Sequence, residues 1–521
     1  MRTRPRWIAA GWGILLALSL WCAGAGAAGT VWYVTGTGAG AKDGTSWAHA
    51  FASSDLGAAI QGAAPGDEVW VAQGTYLPGV TSGDSFVLKP GVSVYGGFGG
   101  TETRRDQRVP KTHVTVLSGN IGDPATSADN VCHVVTAPFG VTGSTVLDGF
   151  TIRDGNARGG FFASSGSGGG LYNSSASPRV SRCTFLRNDA FKGGGVGNAG
   201  SEASPVITDC TFRDNGARSG GGIASSGSNA PKISCCTFVE NVAGNGGAVY
   251  GETGSAGEIA NCTFVENVAW DDGGGALLLA SNHTRVRNCT FLNNRTTRDP
   301  SRGQSVYVTA CSPTDGTSIL HCILWNSVPS ALKEVEYAAG AAPTFEYGVL
   351  RGTYDGNEAA LHLLSGDPLL APLADNGGFT QTCAILPGSS AADVDSPHPF
   401  PATDQRGVSR PQGPKGDYGA FEKPFVPSPS PTPSPSPGTP TPGEITPSPV
   451  PEVTPDPGTV TPLPTSLLTP TPVVPSSPAS LPTTSPTGSL RGGSGGCSSL
   501  RYGSLVWALL VPLCLLKGGR P

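Results

Sequence analysis

The sequence predicts an all-β chain wound as a right-handed parallel β-helix, on three observations. The triplet Cys-Thr-Phe recurs at Cys183, Cys210, Cys236, Cys262 and Cys289, so its phenylalanines, Phe185, Phe212, Phe238, Phe264 and Phe291, follow one another at intervals of 26 or 27 residues. An asparagine stands three residues after each phenylalanine (Asn188, Asn215, Asn241, Asn267, Asn294), and a glycine cluster opens the next segment at Gly193, Gly220, Gly246 and Gly273. Between these fixed points lie short apolar runs such as PVITDCTF and PKISCCTF, broken by Gly, Asn, Ser and Pro, with no 3.6-residue period. A fixed period of this length marks a stacked repeat. Two or three short strands per repeat leave no room for a crossover helix, so each coil pairs in parallel with the next.

Stacking accounts for the near identity of the copies. Equivalent residues on successive coils lie about 4.8 Å apart, so Phe meets Phe, and Asn amides bond along the stack as they do in cross-β ladders. The octapeptide CTFVENVA is written twice, from Cys236 and from Cys262, because the best neighbour of a coil is its own copy. In VITDCTF, strand alternation assigns Val206, Thr208, Cys210 and Phe212 to one face, with Cys and Phe inside. Asparagine and glycine are expected at the left-handed turns. Thirteen cysteines in an exported chain would ordinarily imply a disulfide map. Here Cys183, Cys210, Cys236, Cys262 and Cys289 share one inward column, with Cys322 a sixth. Parallel strands hold the Cβ vectors side by side, so the expectation is a ladder of free thiols, with disulfides along it as the alternative. Cys235, out of phase, is expected to face the other way.

The rest of the chain divides by composition. Arg2, Arg4 and Arg6, an apolar run from Trp7 to Trp21 and the tract AGAGAA read as a secretory signal peptide over residues 1–28, which makes the protein exported. Residues 29–365 are assigned to the β-helix. Its open end needs a cap, supplied by a short amphipathic helix from about Asp55 to Ala63. In TVLDGFTIRDGN, Phe150 and Ile152 are phased like the later Cys and Phe. Residues 366–423 form a terminal module, and residues 424–490 are a Pro/Ser/Thr-rich linker unable to bury a core. Residues 491–521 carry Gly495-Gly496-Cys497, an apolar run from Leu505 to Leu516, and Lys517 and Arg520. That run is short for a membrane span.

Three stretches carry resemblances. The Phe-x-x-Asn elements, with Gly-Gly-Ala-Val at Gly246 to Val249, resemble the repeats of the polymorphic outer-membrane protein family, which implies a surface β-helix used in adhesion. The autotransporter barrel of that family is not among the motifs of this chain, so its secretion route does not carry over. From Gly366 to Glu422 the chain is similar to the choice-of-anchor Q module, through Asp375, Asn376, Gly377, Gly378, Asp404, Arg406, Gly407, Gly419, Ala420 and Phe421. That module ends bacterial β-helix proteins just before a surface anchor. The last segment resembles Gram-negative C-terminal sorting signals. This implies cutting by an intramembrane sorting protease at the Gly496-Cys497 motif and attachment at the outer cell surface, the outer membrane; an uncleaved membrane anchor is the alternative.

The column two residues after each Phe reads Arg187, Asp214, Glu240, Glu266, Asn293. Carboxylates on adjacent coils would stand about 5 Å apart, near the spacing of a retaining glycosidase pair and within reach of one Ca²⁺. Asp214, Glu240 and Glu266 are therefore the candidate catalytic residues, and the candidate calcium ligands, of a polysaccharide lyase or glycoside hydrolase. The plainer reading is a solvated corner, with Arg187 pairing with Asp214. Asp271-Asp272 falls in a Gly-rich turn. Asp393, Asp395, Asp404, Arg406 and Asp417 read as turn caps and salt bridges, and Trp270 and Trp325 as sugar platforms or packing residues. No other cofactor is indicated. A net charge of −5 with 14% charged residues argues against nucleic acid. The expected function is adhesion, or binding of an extracellular glycan or surface ligand without catalysis. Polysaccharide cleavage is the alternative.

Overall fold

A computed structural model describes residues 29–425, apart from 160–165, 253, 256, 281–282, 310–315, 327–332, 353 and 355–360. The segment read as a signal peptide, the linker beyond residue 425, and the tail with Gly496 and Cys497 lie outside the described residues.

The winding is most regular from Arg179 to Val308, where each coil has four short strands instead of the two or three expected. In one coil these are Arg179–Ser181, Thr184–Leu186, Asp189–Lys192 and Val196–Ala199. Every strand pairs in parallel with its copies above and below, for example Thr184↔Thr211, Phe185↔Phe212 and Leu186↔Arg213. Four sheets result. Among the described residues the first and second have eleven strands each, the third six and the fourth nine.

A single residue makes each of the first two corners. Arg182, Asp209, Cys235, Asn261, Asn288 and His321 turn the first strand into the second with φ between 48° and 56°. Arg187, Asp214, Glu240, Glu266 and Asn293 turn the second into the third with φ between 52° and 58°. The left-handed residue is thus the one before the ladder asparagine, not the asparagine itself. In VITDCTF, Cys210 and Phe212 are inside as expected, but the placing of Val206 and Thr208 on their face is corrected. Ile207, Cys210 and Phe212 are buried while Val206 and Thr208 are half-buried, because the left-handed step at Asp209 breaks the two-residue alternation. The third corner requires glycine. At Gly193 (φ 64°) a Cβ would come within 2.0 Å of the Val196 carbonyl oxygen.

The interior consists of columns. Phe185, Phe212, Phe238, Phe264 and Phe291 stack with centroids 4.7–4.8 Å apart and planes within 6°. Each ladder asparagine donates Nδ2 to Oδ1 of the next, 2.9–3.1 Å away, from Asn188 through Asn294. The same Nδ2 reaches the carbonyl of the coil before, as from Asn241 to Phe212 at 2.9 Å. Both amide ends are therefore satisfied in a buried column. Cys183, Cys210, Cys236, Cys262, Cys289 and Cys322 are free thiols. Each donates to the carbonyl two residues earlier at 3.1–3.4 Å and lies 3.6–3.9 Å from one on the coil before. Burial pushes the Cys183, Cys210 and Cys236 thiols well up.

At the N-terminal end, the helix Leu56–Gly62 buries Leu56, Ala59 and Ile60 against the core. Its apolar residues at spacings of three and four make one narrow stripe, which suits a cap.

Residues 366–423 fold back as a strap along the outer face of the second sheet. The strap contains the antiparallel pair Leu370–Ala374 and Thr382–Ile385, and its docking uses the Thr of Cys-Thr-Phe. Thr237 donates to the Gln381 carbonyl (2.6 Å), Thr263 to Gln405 Oε1 (2.7 Å), and Thr290 Oγ1 accepts from Ala420 N (3.0 Å). Corner residues join in, with Asn261 Nδ2 donating to the Thr403 carbonyl (3.0 Å). Cys235 is half-buried in the same corner column, where its carbonyl accepts from Thr380. Within the strap, Arg406 pairs with Asp404 (2.7 Å) and Arg410 with Glu422 (3.2 Å), all buried.

Candidate functional site

The corner between the second and third sheets carries the charged column foreseen in the sequence. Its left-handed backbone points Arg187, Asp214, Glu240 and Glu266 outward, one per coil, and all four are exposed. The side chains do not converge. Glu240 accepts from Arg213 Nη1 at 2.8 Å, and Arg187 pairs with Asp154 (3.2 Å) in place of Asp214. Among the described residues, no group of three or more His, Cys, Asp or Glu is disposed to hold a metal ion.

The N-terminal end of this column opens into a polar cleft of about 480 Å³, lined by Asn120, Ser127, Asp154, Arg187, Asp189 and Asp214 among others. Three local features build it. Asp189 begins a third-sheet strand at an outward position where later copies carry Gly216, Val242 and Val268. Gly216 leaves space, since a Cβ there would lie 3.0 Å from Asp189 Oδ1. The segment from Asn120 to Asn130 forms a wall, tied down by Asn130 Nδ2 donating to the Asp154 carbonyl (2.7 Å) and Asn156 Nδ2 donating to the Ser127 carbonyl (2.7 Å). Arg153 (3.3 Å) and Arg187 flank the Asp154 carboxylate. Arg158 pairs with Asp189 Oδ2, while Oδ1 has no hydrogen bond among the described residues. Burial raises the Asp189 carboxyl above its ordinary value, against the pull of Arg158.

Of the predicted site residues, the cleft gathers Asp214 with Arg187 and leaves Glu240 and Glu266 further along the corner. Sequence reasoning missed Asp154, Asp189 and the Asn120–Asn130 wall. A signal for Asp189 existed, an acid beside a glycine where other copies repeat Val. The wall lies outside the repeat and had none.

The remaining candidates separate. Asp271 is held between Arg218 (2.5 Å) and Arg298, and Asp272 faces Arg302 (3.5 Å). Trp270 is 43% exposed beneath the Arg218 guanidinium, 5.3 Å from its ring centre. Trp325 packs under Arg351 and against the strap core. His321, stacked on Phe400 and Tyr418, bonds Ser396 Oγ at 2.7 Å. Burial drops its pKa to about 3, so the neutral ring fastens the strap.

Fold and cleft together define a right-handed β-helix with a polar recess at the corner between the second and third sheets. The family described as "Right handed beta helix region" matches residues 137–264 and again 218–345. No curated protein matches the chain. Similar solved structures include pectate lyase Pel9A (14% identity, TM-score 0.40, 75% of this chain and 96% of that one). A mannuronic acid specific polysaccharide lyase from human gut microbiota follows (12%, 0.31, 63% and 70%), as does the pectin methylesterase from Aspergillus niger (13%, 0.25, 64% and 93%). These likenesses concern the winding of the chain alone.

Proposed function

We propose that the protein is a surface-displayed binder of extracellular glycan that does not turn its ligand over. The observation carrying this reading is the open cleft of about 480 Å³, whose Asp154 and Asp189 already pair with Arg187 and Arg158. Paired planar charges offer several fixed donors and acceptors to sugar hydroxyls without demanding a counter-charge. Display rests on the sequence alone: a signal peptide over residues 1–28, a linker over 424–490, and a sorting or membrane-anchor tail over 491–521.

Asp189 favours a second reading, polysaccharide cleavage. A carboxyl raised by burial lines the same cleft as Asp154 and Asp214, and a raised carboxyl is what a general acid needs. Glycan retention and sugar release by the purified protein separate the two. Retention that Arg187→Ala weakens, without product, supports binding. Product release abolished by Asp189→Asn replaces it with cleavage, and neither result would leave a passive spacer.

A further inference from the structure

The outward threonines of the second sheet make one column, Thr151↔Thr184↔Thr211↔Thr237↔Thr263↔Thr290. The strap covers the last three, and each meets an uncharged group there: a backbone carbonyl at Thr237, the Gln405 carboxamide at Thr237 and Thr263, a backbone N–H at Thr290. The first three are only half-buried, and their hydroxyls make no hydrogen bond among the described residues. They line a groove of about 410 Å³. The rest of its lining comes mainly from residues 110–115 and from the strap tip, residues 375–381, which meet where Lys111 Nζ donates to Asp375 Oδ2 (3.1 Å) and to the Gly378 carbonyl (3.0 Å). The groove lies on the coils that carry the polar cleft. Thr151, Thr184 and Thr211 stand three residues before Asp154, Arg187 and Asp214, at most about 10 Å along the strand at ~3.3 Å per residue. The outward column between them is Arg153, Leu186 and Arg213, all half-buried.

We infer that this groove is a second subsite for the glycan of the cleft, and that the ligand is a hexose oligosaccharide long enough to fill both recesses, crossing the second sheet at Leu186. The inference rests on the glycan-binding reading and adds to it a route and a minimum length. A sugar hydroxyl both donates and accepts, as a threonine hydroxyl does. A ring laid on Thr151, Thr184 and Thr211 therefore satisfies the open half of the column as the strap satisfies the covered half, through uncharged groups. The Gln381 side chain, at the edge of the groove, adds a carboxamide with no hydrogen bond among the described residues. The charged groups of the groove are already engaged, Lys111 with Asp375 and Arg182 with Asp148, so the groups left to recognise a ligand are hydroxyls and an amide.

Calorimetric titration of the full-length protein with the disaccharide and the hexasaccharide of the cello, laminari and manno series, and with hexagalacturonate, tests it. In one neutral series the hexasaccharide should bind at least about tenfold tighter than the disaccharide, the effect of a few net hydrogen bonds. Thr184→Val combined with Thr211→Val removes the hydroxyls and keeps the branched side chains. It should erase that advantage at an unchanged melting temperature and leave disaccharide affinity as it was, while Thr184→Ser keeps the advantage. Equal binding of the two lengths, or an advantage that survives the double valine variant, would overturn the subsite and leave the cleft reading standing. So would an advantage confined to hexagalacturonate and lost at high salt, or binding in the groove of a synthetic peptide of residues 376–384, the strap segment over Thr237, in place of any oligosaccharide. The cleft reading fails separately, if Arg187→Ala and Asp189→Asn leave disaccharide binding unchanged, and absence of binding throughout the panel removes that reading and the subsite together.

Discussion

At two corners of the repeated coils, arginine, aspartate, glutamate, asparagine, cysteine and histidine hold a left-handed backbone that costs an L-residue on the order of 1–2 kcal/mol. The columns beside them offset that strain. Asn241 accepts from Asn215 N (3.2 Å) and Nδ2 (3.0 Å) and donates to Asn267 and Phe212. Asn241→Ala leaves several of these buried groups unpaired and should lower stability by about 3 kcal/mol, read as a fall in the urea midpoint. The exposed corner responds oppositely. Glu266→Gly relieves the φ of 56° at a cost in chain entropy, and a gain of about 0.5 kcal/mol is expected in the same assay; a loss would show that the Glu266 side chain has partners of its own. The ladder columns were legible in the sequence because they repeat at a fixed interval. The corner conformation was misplaced by one residue, since Asn and Glu both satisfy the same spacing.

The strap is an element whose role the sequence left open. Its key is Gln405, 1% exposed, which donates to Thr237 Oγ1 and Thr380 Oγ1 (both 2.9 Å) and accepts from Thr263. Gln405→Ala should unfasten residues 366–423 by roughly 3 kcal/mol. Hydrogen exchange should then quicken in the strap and at Thr237–Val239 and Thr263–Val265, while the fourth sheet keeps its protection. The sequence by itself gives the Thr of Cys-Thr-Phe no role. Its outward column becomes a docking edge only because residues more than a hundred positions later return to it, and the repeat carries no trace of that partner.

Across the whole molecule, the asparagine ladder ends on one buried acid. Asn294 N donates to Asn326 Oδ1 (2.7 Å). Glu334 then accepts from Asn326 N (3.0 Å), Asn326 Nδ2 and Ser305 Oγ (2.8 Å). Burial raises the Glu334 carboxyl from 4.5 to about 7, against these bonds and the nearby Arg351. The folded chain therefore binds this proton more tightly than the unfolded one. Its contribution to stability is complete below pH ~4.5, declines as pH rises through the window, and levels off above about 7. Relative to the wild type, Glu334→Gln should gain thermal stability as pH increases from 4.5 to 7, by about 3 kcal/mol in all. A constant difference across that window would refute the linkage.

The repeat alone determined the winding, the inward columns of Phe, Asn and Cys, and the outward column of charge, because a coil's nearest neighbours are its own copies and the period is written in the chain. What only the tertiary structure decided are the fourth strand of each coil, the left-handed corners, the cleft at Asp189 and the strap. Each depends on residues that break the repeat or return from a distance, where contact is set by how the backbone turns and not by spacing along it.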